Sequence, residues 1–284
     1  MRFLDVRTDY AFKKVFGSEE SKDILISFLN AVIDFESGAE IRDLVIADPY
    51  QIPLIKGMKD TYVDVKAVLS DSRRVIIEMQ VLNTEGFEKR ILYNAAKAYS
   101  SQLMKADPYP GLEPVIALTL TDFEMFEDIK PVITYFRLTE KETLIKYSDD
   151  IELVFIELPK FTKKEDELET IADKWIYFIK NAGSLEYVPK TLNETPVGRA
   201  FEIANTAGLS EEELEIQHKR RDFIWLQRGS FEKAKKDGWR QGKAEGKIEG
   251  KIEVARNLKK ENTDIHLIAK VTGLSEEEIQ NIVI

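Results

Sequence analysis

Asp64, Glu78 and Gln80 sit within YVDVKAVLSDSRRVIIEMQV (residues 62–81), a stretch that otherwise alternates apolar and polar residues. Alternation of period two is the pattern of a strand, and SDSRR between the two runs supplies turn residues. The stretch therefore predicts neighbouring antiparallel strands. Side chains two apart on a strand share a face, which sets Glu78 beside Gln80 and Asp64 beside Lys66. With matched register both pairs look into one cleft. Two carboxylates held close repel unless a cation lies between them, and oxygen ligands of this kind suit magnesium or manganese. The spacing predicts a divalent-metal site on Asp64 and Glu78; a strand face turned to solvent is the plainer reading of the same alternation.

The surrounding pattern supplies elements to position such a site. TDYAFKKVFG and SKDILISFLNAVI carry apolar residues at three-and-four spacing, predicting two amphipathic helices, the second capped by Ser18 or Ser21. EIRDLVIA, TYVDVKAVL, RRVIIEMQV, EPVIALTLT, PVITYFRL and IELVFIEL are β-branched or aromatic runs bounded by turn residues, and predict strands. Between the third and fourth lies FEKRILYNAAKAYSSQLMKA, whose Phe87, Ile91, Leu92, Ala95, Tyr99 and Leu103 fall on one helical face, as a crossover helix requires. The predicted class is α/β, a mixed sheet flanked by helices that ends near ELPKF at residues 157–161. ELETIADKWIYFIKNAG follows as a helix laid on the core through Leu168, Ile171, Trp175 and Phe178 and ended by Gly183.

A helix, an Asp on one strand, Glu-x-Gln on the next, then a helix and another strand resembles the PD-(D/E)xK nuclease superfamily. More closely, RFLDVRTDYAFKKVFG, IEMQ, KRILYNAAKAYSSQL, PVIALTLTDF and ELPKF, in that order over residues 1–160, resemble the Rpn family of recombination-promoting nucleases and putative transposases. Two departures stand out: YVD lacks the proline before Asp64, and Gln80 stands where most of the superfamily carries lysine. The resemblance implies a metal-dependent DNA endonuclease of recombination or transposition. Asp64 and Glu78 would hold Mg2+ or Mn2+ with the Met79 backbone carbonyl, and Gln80 would position the attacking water. Lys66 is the candidate for the displaced catalytic cation. Asp9, on the first helix, is either an extra ligand or a cap against the sheet. Arg90, Tyr93, Lys97 and Gln102 also match the family, and the first three, at three-and-four spacing, would touch a DNA backbone or simply face water. The rival reading is a catalytically degenerate nuclease-fold scaffold that binds DNA or protein.

Composition narrows the partners. The chain of 284 residues has a net charge of −10 and so is no general coat for nucleic acid; any DNA contact must use a local patch. It has no cysteine, which excludes disulfide and thiolate chemistry, and with no membrane-length apolar run or charged-then-apolar leader it reads as cytoplasmic. His218 and His266 are isolated, against a histidine metal site. The pattern divides the chain into a nuclease-like domain (1–162), a helical accessory region (163–237) and a glycine-repeat helix with a helix-turn-helix-like tail (238–284). HKRRDFIWLQRGSFEKAKKDGWRQGKAEGK is basic with interleaved aromatics, which fits a nucleic-acid surface or, more simply, an amphipathic helix with its aromatics inside. Gly238, Gly242, Gly246 and Gly250 recur every four residues, flanked by Lys243, Lys247 and Lys251 on one side and Glu245, Glu249 and Glu253 on the other. That stripe predicts a parallel homodimer through the helix; the alternatives are a slippage repeat left unpaired, or burial of the Ala244, Ile248 and Ile252 stripe on the chain's own core with the glycines in water. In the tail, Glu276, Glu277 and Glu278 open the second helix and would repel phosphates, which favours an interaction module over a DNA reader.

Overall fold

The computed structural model describes residues 3–35, 39–51, 61–104, 106–193 and 195–283, which form two compact units, Met1–Ile224 and Trp225–Ile284. In chain order the first unit contains α1 (Asp9–Phe16), α2 (Lys22–Val32), β1 (Leu44–Ala47), β2 (Tyr50–Gln51), β3 (Thr61–Tyr62), β4 (Val65–Leu69) and β5 (Arg74–Gln80). It continues with α3 (Phe87–Ser100), β6 (Val115–Thr121), β7 (Ile133–Arg137), β8 (Ile151–Glu157), α4 (Ile171–Asn181), α5 (Lys190–Asn193) and α6 (Pro196–Ile203). The long α7 (Glu211–Lys260) opens in this unit.

Six strands form a mixed sheet in the order β1-β4-β5-β6-β8-β7. The β4–β5 hairpin is antiparallel, as its alternation predicts, and turns through Ser72 at a φ of 72°. Strand β5 then pairs parallel with β6 through the crossover helix α3, and β6 with β8. All of β6 is buried, as expected of a central parallel strand covered on both faces. On one face Val65, Ala67, Val75, Ile77 and Met79 meet the aromatic cluster of α1, α2, α4 and α6, in which Phe16, Phe28 and Trp175 pack ring against ring. On the other, Ile76 and Ala117 meet Ala95 and Ala98 of α3.

Several sequence expectations change in detail. Helix α3 stops at Ser100, short of Leu103, because the Gln102 side chain makes two hydrogen bonds (2.8 and 2.9 Å) with the Glu113 backbone and turns the chain toward β6. Leu92, expected on its inner face, is 55 % exposed. Ser21 precedes α2 but does not cap it; its hydroxyl donates to the Ser18 carbonyl instead. Ile171 lies in the first turn of α4 and is 39 % exposed, while Trp175 and Phe178 are buried as expected.

A second change matters for the site. The strand expected over 61–69 is broken between β3 and β4, with Asp64 at the bend. There the Asp64 backbone N–H donates to Ile77 O at 2.9 Å while its carboxylate accepts the Met79 N–H at 2.8 Å. A side-chain oxygen thus stands in for a backbone acceptor in the ladder.

In the second unit, α7 ends against α8 (Ile265–Thr272) and α9 (Glu276–Asn281) around Ala255, Ile268 and Ile279. Asp264 caps α8, Gly273 turns the chain at a φ of 69°, and Ser275 with Glu278 forms a capping box for α9. Lys259 Nζ donates to three carbonyls at the end of α9, those of Ile279, Gln280 and Ile282. Aromatics of the basic run do not lie inside: Trp225 is 73 % exposed, and Phe223, Phe231 and Trp239 are exposed as well. No helix among the described residues is long and apolar enough to cross a membrane.

Candidate active site

Hairpin and crossover helix together build the site. The β4–β5 register, with Val65 opposite Ile77, sets Asp64 near Glu78, and the charge of Asp64 acts on Glu78. Burial pushes the Asp64 carboxyl above its ordinary value against the Met79 bond and the nearby Lys13 ammonium, and the charge of Asp9 adds to the rise. Glu78 is raised as well, first by burial and then by Asp64, with Arg90 opposing. Charge here is held at a cost, which is the condition a cation relieves.

From α3 comes a row of polar side chains one turn apart, Arg90, Asn94 and Lys97, on the face turned to the sheet. Arg90 Nη2 donates to Glu78 Oε1 at 2.5 Å and to Gln80 Oε1 at 2.8 Å, bridging the two. Gln80 is pinned at its other end, where Nε2 donates to the Leu82 carbonyl at 2.7 Å. Asn94 Nδ2 reaches Glu78 Oε2 at 3.4 Å, and its buried Oδ1 has no hydrogen-bond partner among the described residues. Lys97 is 5 % exposed and reaches Thr61 Oγ1 at 3.4 Å beside the Tyr93 ring. The open basic face expected of Arg90, Tyr93 and Lys97 is thus not what α3 presents. Arg90 is turned onto the carboxylate and Lys97 lies inside.

The remaining candidates are placed as follows. Lys66 pairs across the sheet with Ile76 and Ala47, and burial beside the Arg74 charge lowers its pKa while Asp48 opposes. None of the ion pairs or hydrogen bonds seen at Glu78 and Gln80 among the described residues comes from Lys66. Asp9 is held at both oxygens by Arg220, at 3.1 and 2.7 Å. A cleft of about 200 Å³, lined by Thr8, Asp9, Met79, Gln80, Arg220 and Phe223 among others, adjoins the strand end.

Sequence reasoning missed Asn94, Lys13 and Arg220, and did not see Arg90 as a partner of Glu78. A signal existed for two of them: Asn94 is a polar residue set between Ile91, Ala95 and Ala98 on the inward face of α3, and Lys13 follows Asp9 by one helical turn.

The donor set fits a hard divalent cation. Asp64 Oδ2 is oriented by Met79 N–H, and the partner of its Oδ1 among the described residues is Lys13 at 3.5 Å, a contact a cation could replace. No set of three or more His, Asp or Glu side chains among the described residues is gathered to hold a metal, so backbone and water oxygens would complete the shell around the pair.

The sequence profile described as "PD-(D/E)XK nuclease family transposase" matches residues 6–234. No curated protein and no solved structure matches the chain.

Proposed function

Because the chain belongs to the PD-(D/E)XK nuclease family of transposases, we propose that it is a magnesium- or manganese-dependent endonuclease that hydrolyses DNA phosphodiesters in the cytoplasm, in recombination or transposition. The observation that supports this reading is the pairing of two half-buried carboxylates, Asp64 and Glu78, each with its pKa raised, first by burial, and Glu78 further by the charge of Asp64. Asp64 and Glu78, with the Met79 carbonyl, would hold the cation. When bound, a cation of this kind lowers the pKa of its water and neutralises charge on the scissile phosphate. Asp64 is fixed for this task by the Met79 N–H, and Gln80, held at both ends, keeps its own position and that of Arg90. The nuclease core and helical accessory region form one working part of this reading, and a parallel homodimer through the glycine repeat sets two active sites together for a double-strand break.

Nicking of supercoiled plasmid tests it. The chain should nick with Mg2+ or Mn2+ and stop in EDTA, and Asp64→Ala and Glu78→Ala should abolish nicking without unfolding the protein. One observation favours the non-catalytic scaffold instead: Lys13 and Arg90 already counter both carboxylates, at 3.5 and 2.5 Å. Metal-independent DNA retention with no nicking in any divalent cation would establish that alternative.

A further inference from the structure

We propose that Arg90 supplies the positive charge that lysine provides in most of the superfamily, and that Gln80 occupies the lysine position because it holds that arginine in place. The inference rests on the endonuclease reading above and names the residue that meets the scissile phosphate.

Three observations converge on it. Arg90 Nη2 lies within hydrogen-bond distance of both Glu78 Oε1 and Gln80 Oε1, so its charge sits against the side chain at the lysine position. The charge arrives from α3 rather than from the strand. Next, Gln80 is oriented by its own donation to Leu82 O, which leaves its carbonyl oxygen aimed at Arg90. A neutral amide can hold a guanidinium without cancelling its charge, as a carboxylate at the same place would. Finally, the Arg90 side chain is 39 % exposed, so it reaches solvent from this anchor, whereas Lys97 on the same helix face is buried. The Arg90 Nε is buried with no partner among the described residues, and its guanidinium rests over the Phe87 ring at 5.0 Å. The stem is fixed while the fork stays reachable.

The two contacts of Nη2 have different fates. Glu78, if it held a divalent cation, would hold Arg90 less tightly, since two cations on one carboxylate repel. Gln80 does not take part in that competition and retains the arginine. With Glu78 engaged elsewhere, the guanidinium would stay held by Gln80 and turn toward the phosphate, and a fork of donors matches the phosphate oxygens. Gln80 is a positioning residue; Arg90 is the group that touches substrate.

The test uses the full chain, with Mn2+ binding followed by calorimetry, plasmid nicking as the activity, and thermal unfolding as the check on folding. Arg90→Ala should nick about 100-fold more slowly, as loss of one transition-state donor does. Its Mn2+ affinity should stay the same or tighten, because a competitor for Glu78 is gone. Arg90→Lys should recover part of the rate. Gln80→Lys in the Arg90→Ala background should restore at least about 10-fold, because the charge returns from the strand, a rescue that lost packing would not allow. Wild-type nicking by Arg90→Ala while Asp64→Ala is dead would overturn the inference and leave the endonuclease standing, and loss confined to Lys66→Ala would return the role to that residue. A more than about 10-fold loss of Mn2+ affinity in Arg90→Ala would overturn it too, since Arg90 would then serve the metal site rather than the transition state. A wild-type chain that nicks under no metal removes both readings.

Discussion

Asp64 accepts the Met79 backbone N–H at 2.8 Å, so the same carboxylate that faces Glu78 also completes the ladder at the bend between β3 and β4. The two duties separate on substitution. Asp64→Asn retains an oxygen to accept Met79 N–H and removes a carboxylate whose pKa burial has raised, so without metal it should match or exceed wild-type stability at neutral pH while nicking is lost. Asp64→Ala leaves a buried N–H without its acceptor and should cost about 1–3 kcal/mol. Urea unfolding of both variants in EDTA checks the order; an Asn variant weaker than the Ala variant would contradict it.

Glu157 and Lys160 form a buried ion pair at 2.6 Å in which every strong site is used. Glu157 Oε1 accepts Met125 and Phe126 N–H groups, and Lys160 Nζ donates to Phe126 O, Ile129 O and Glu157 Oε2. The pair ties the segment between β6 and β7 to the end of β8. Lys160→Met strands a buried carboxylate and two carbonyls, and should cost about 3–5 kcal/mol in chemical denaturation. A loss below about 1 kcal/mol would mean that the segment relaxes and rehydrates the charge.

Much of this architecture is legible in sequence because it is periodic. The hairpin from residue 65 to residue 80, the buried β6 and the crossover helix follow from spacing two and spacing three-and-four alone. The bend at Asp64 does not, because it depends on one side chain replacing a backbone acceptor. Nor does Arg90 on Glu78: the crossing of α3 over β5 decides which turn of the helix meets which strand residue, and an outward Arg has the same spacing as an inward one. Lys97 shows the same limit, since charge predicts exposure on average and a local partner reverses it. For Glu157 and Lys160 the three-residue spacing in ELPKF is visible, but not the carbonyls they collect.

Glu213, at the start of α7, accepts Lys14 Nζ at 2.9 Å, the Tyr10 hydroxyl and the Ser210 N–H, and these bonds hold its pKa down to about 2. A depressed carboxylate stabilises the fold fully above its unfolded value of 4.5, and that stabilisation fades as pH falls through the folded value. The melting-temperature gap between wild type and Glu213→Gln should therefore be constant from about pH 6 upward, shrink between about pH 4.5 and pH 2, and vanish below that range. A gap that widens on acidification would reverse the assignment.

The glycine repeat of α7 allows a direct test of the dimer. Nothing described lies within 4 Å of a Cβ added at Gly238, Gly242, Gly246 or Gly250, so within one chain alanine fits at each position. In an exposed helix each replacement should stabilise by up to about 1 kcal/mol. If two copies meet along this stripe, the added methyl groups instead hold the backbones apart. A parallel pair sets Lys243, Lys247 and Lys251 of one copy against Glu245, Glu249 and Glu253 of the other, whereas an antiparallel pair sets like against like. The full chain should sediment as a dimer that weakens as salt rises, and the fourfold Gly→Ala variant should sediment as a monomer despite greater helicity. A variant that stays dimeric and melts higher would mean that the glycines face water and the copies join elsewhere, or that the stripe makes no interface at all.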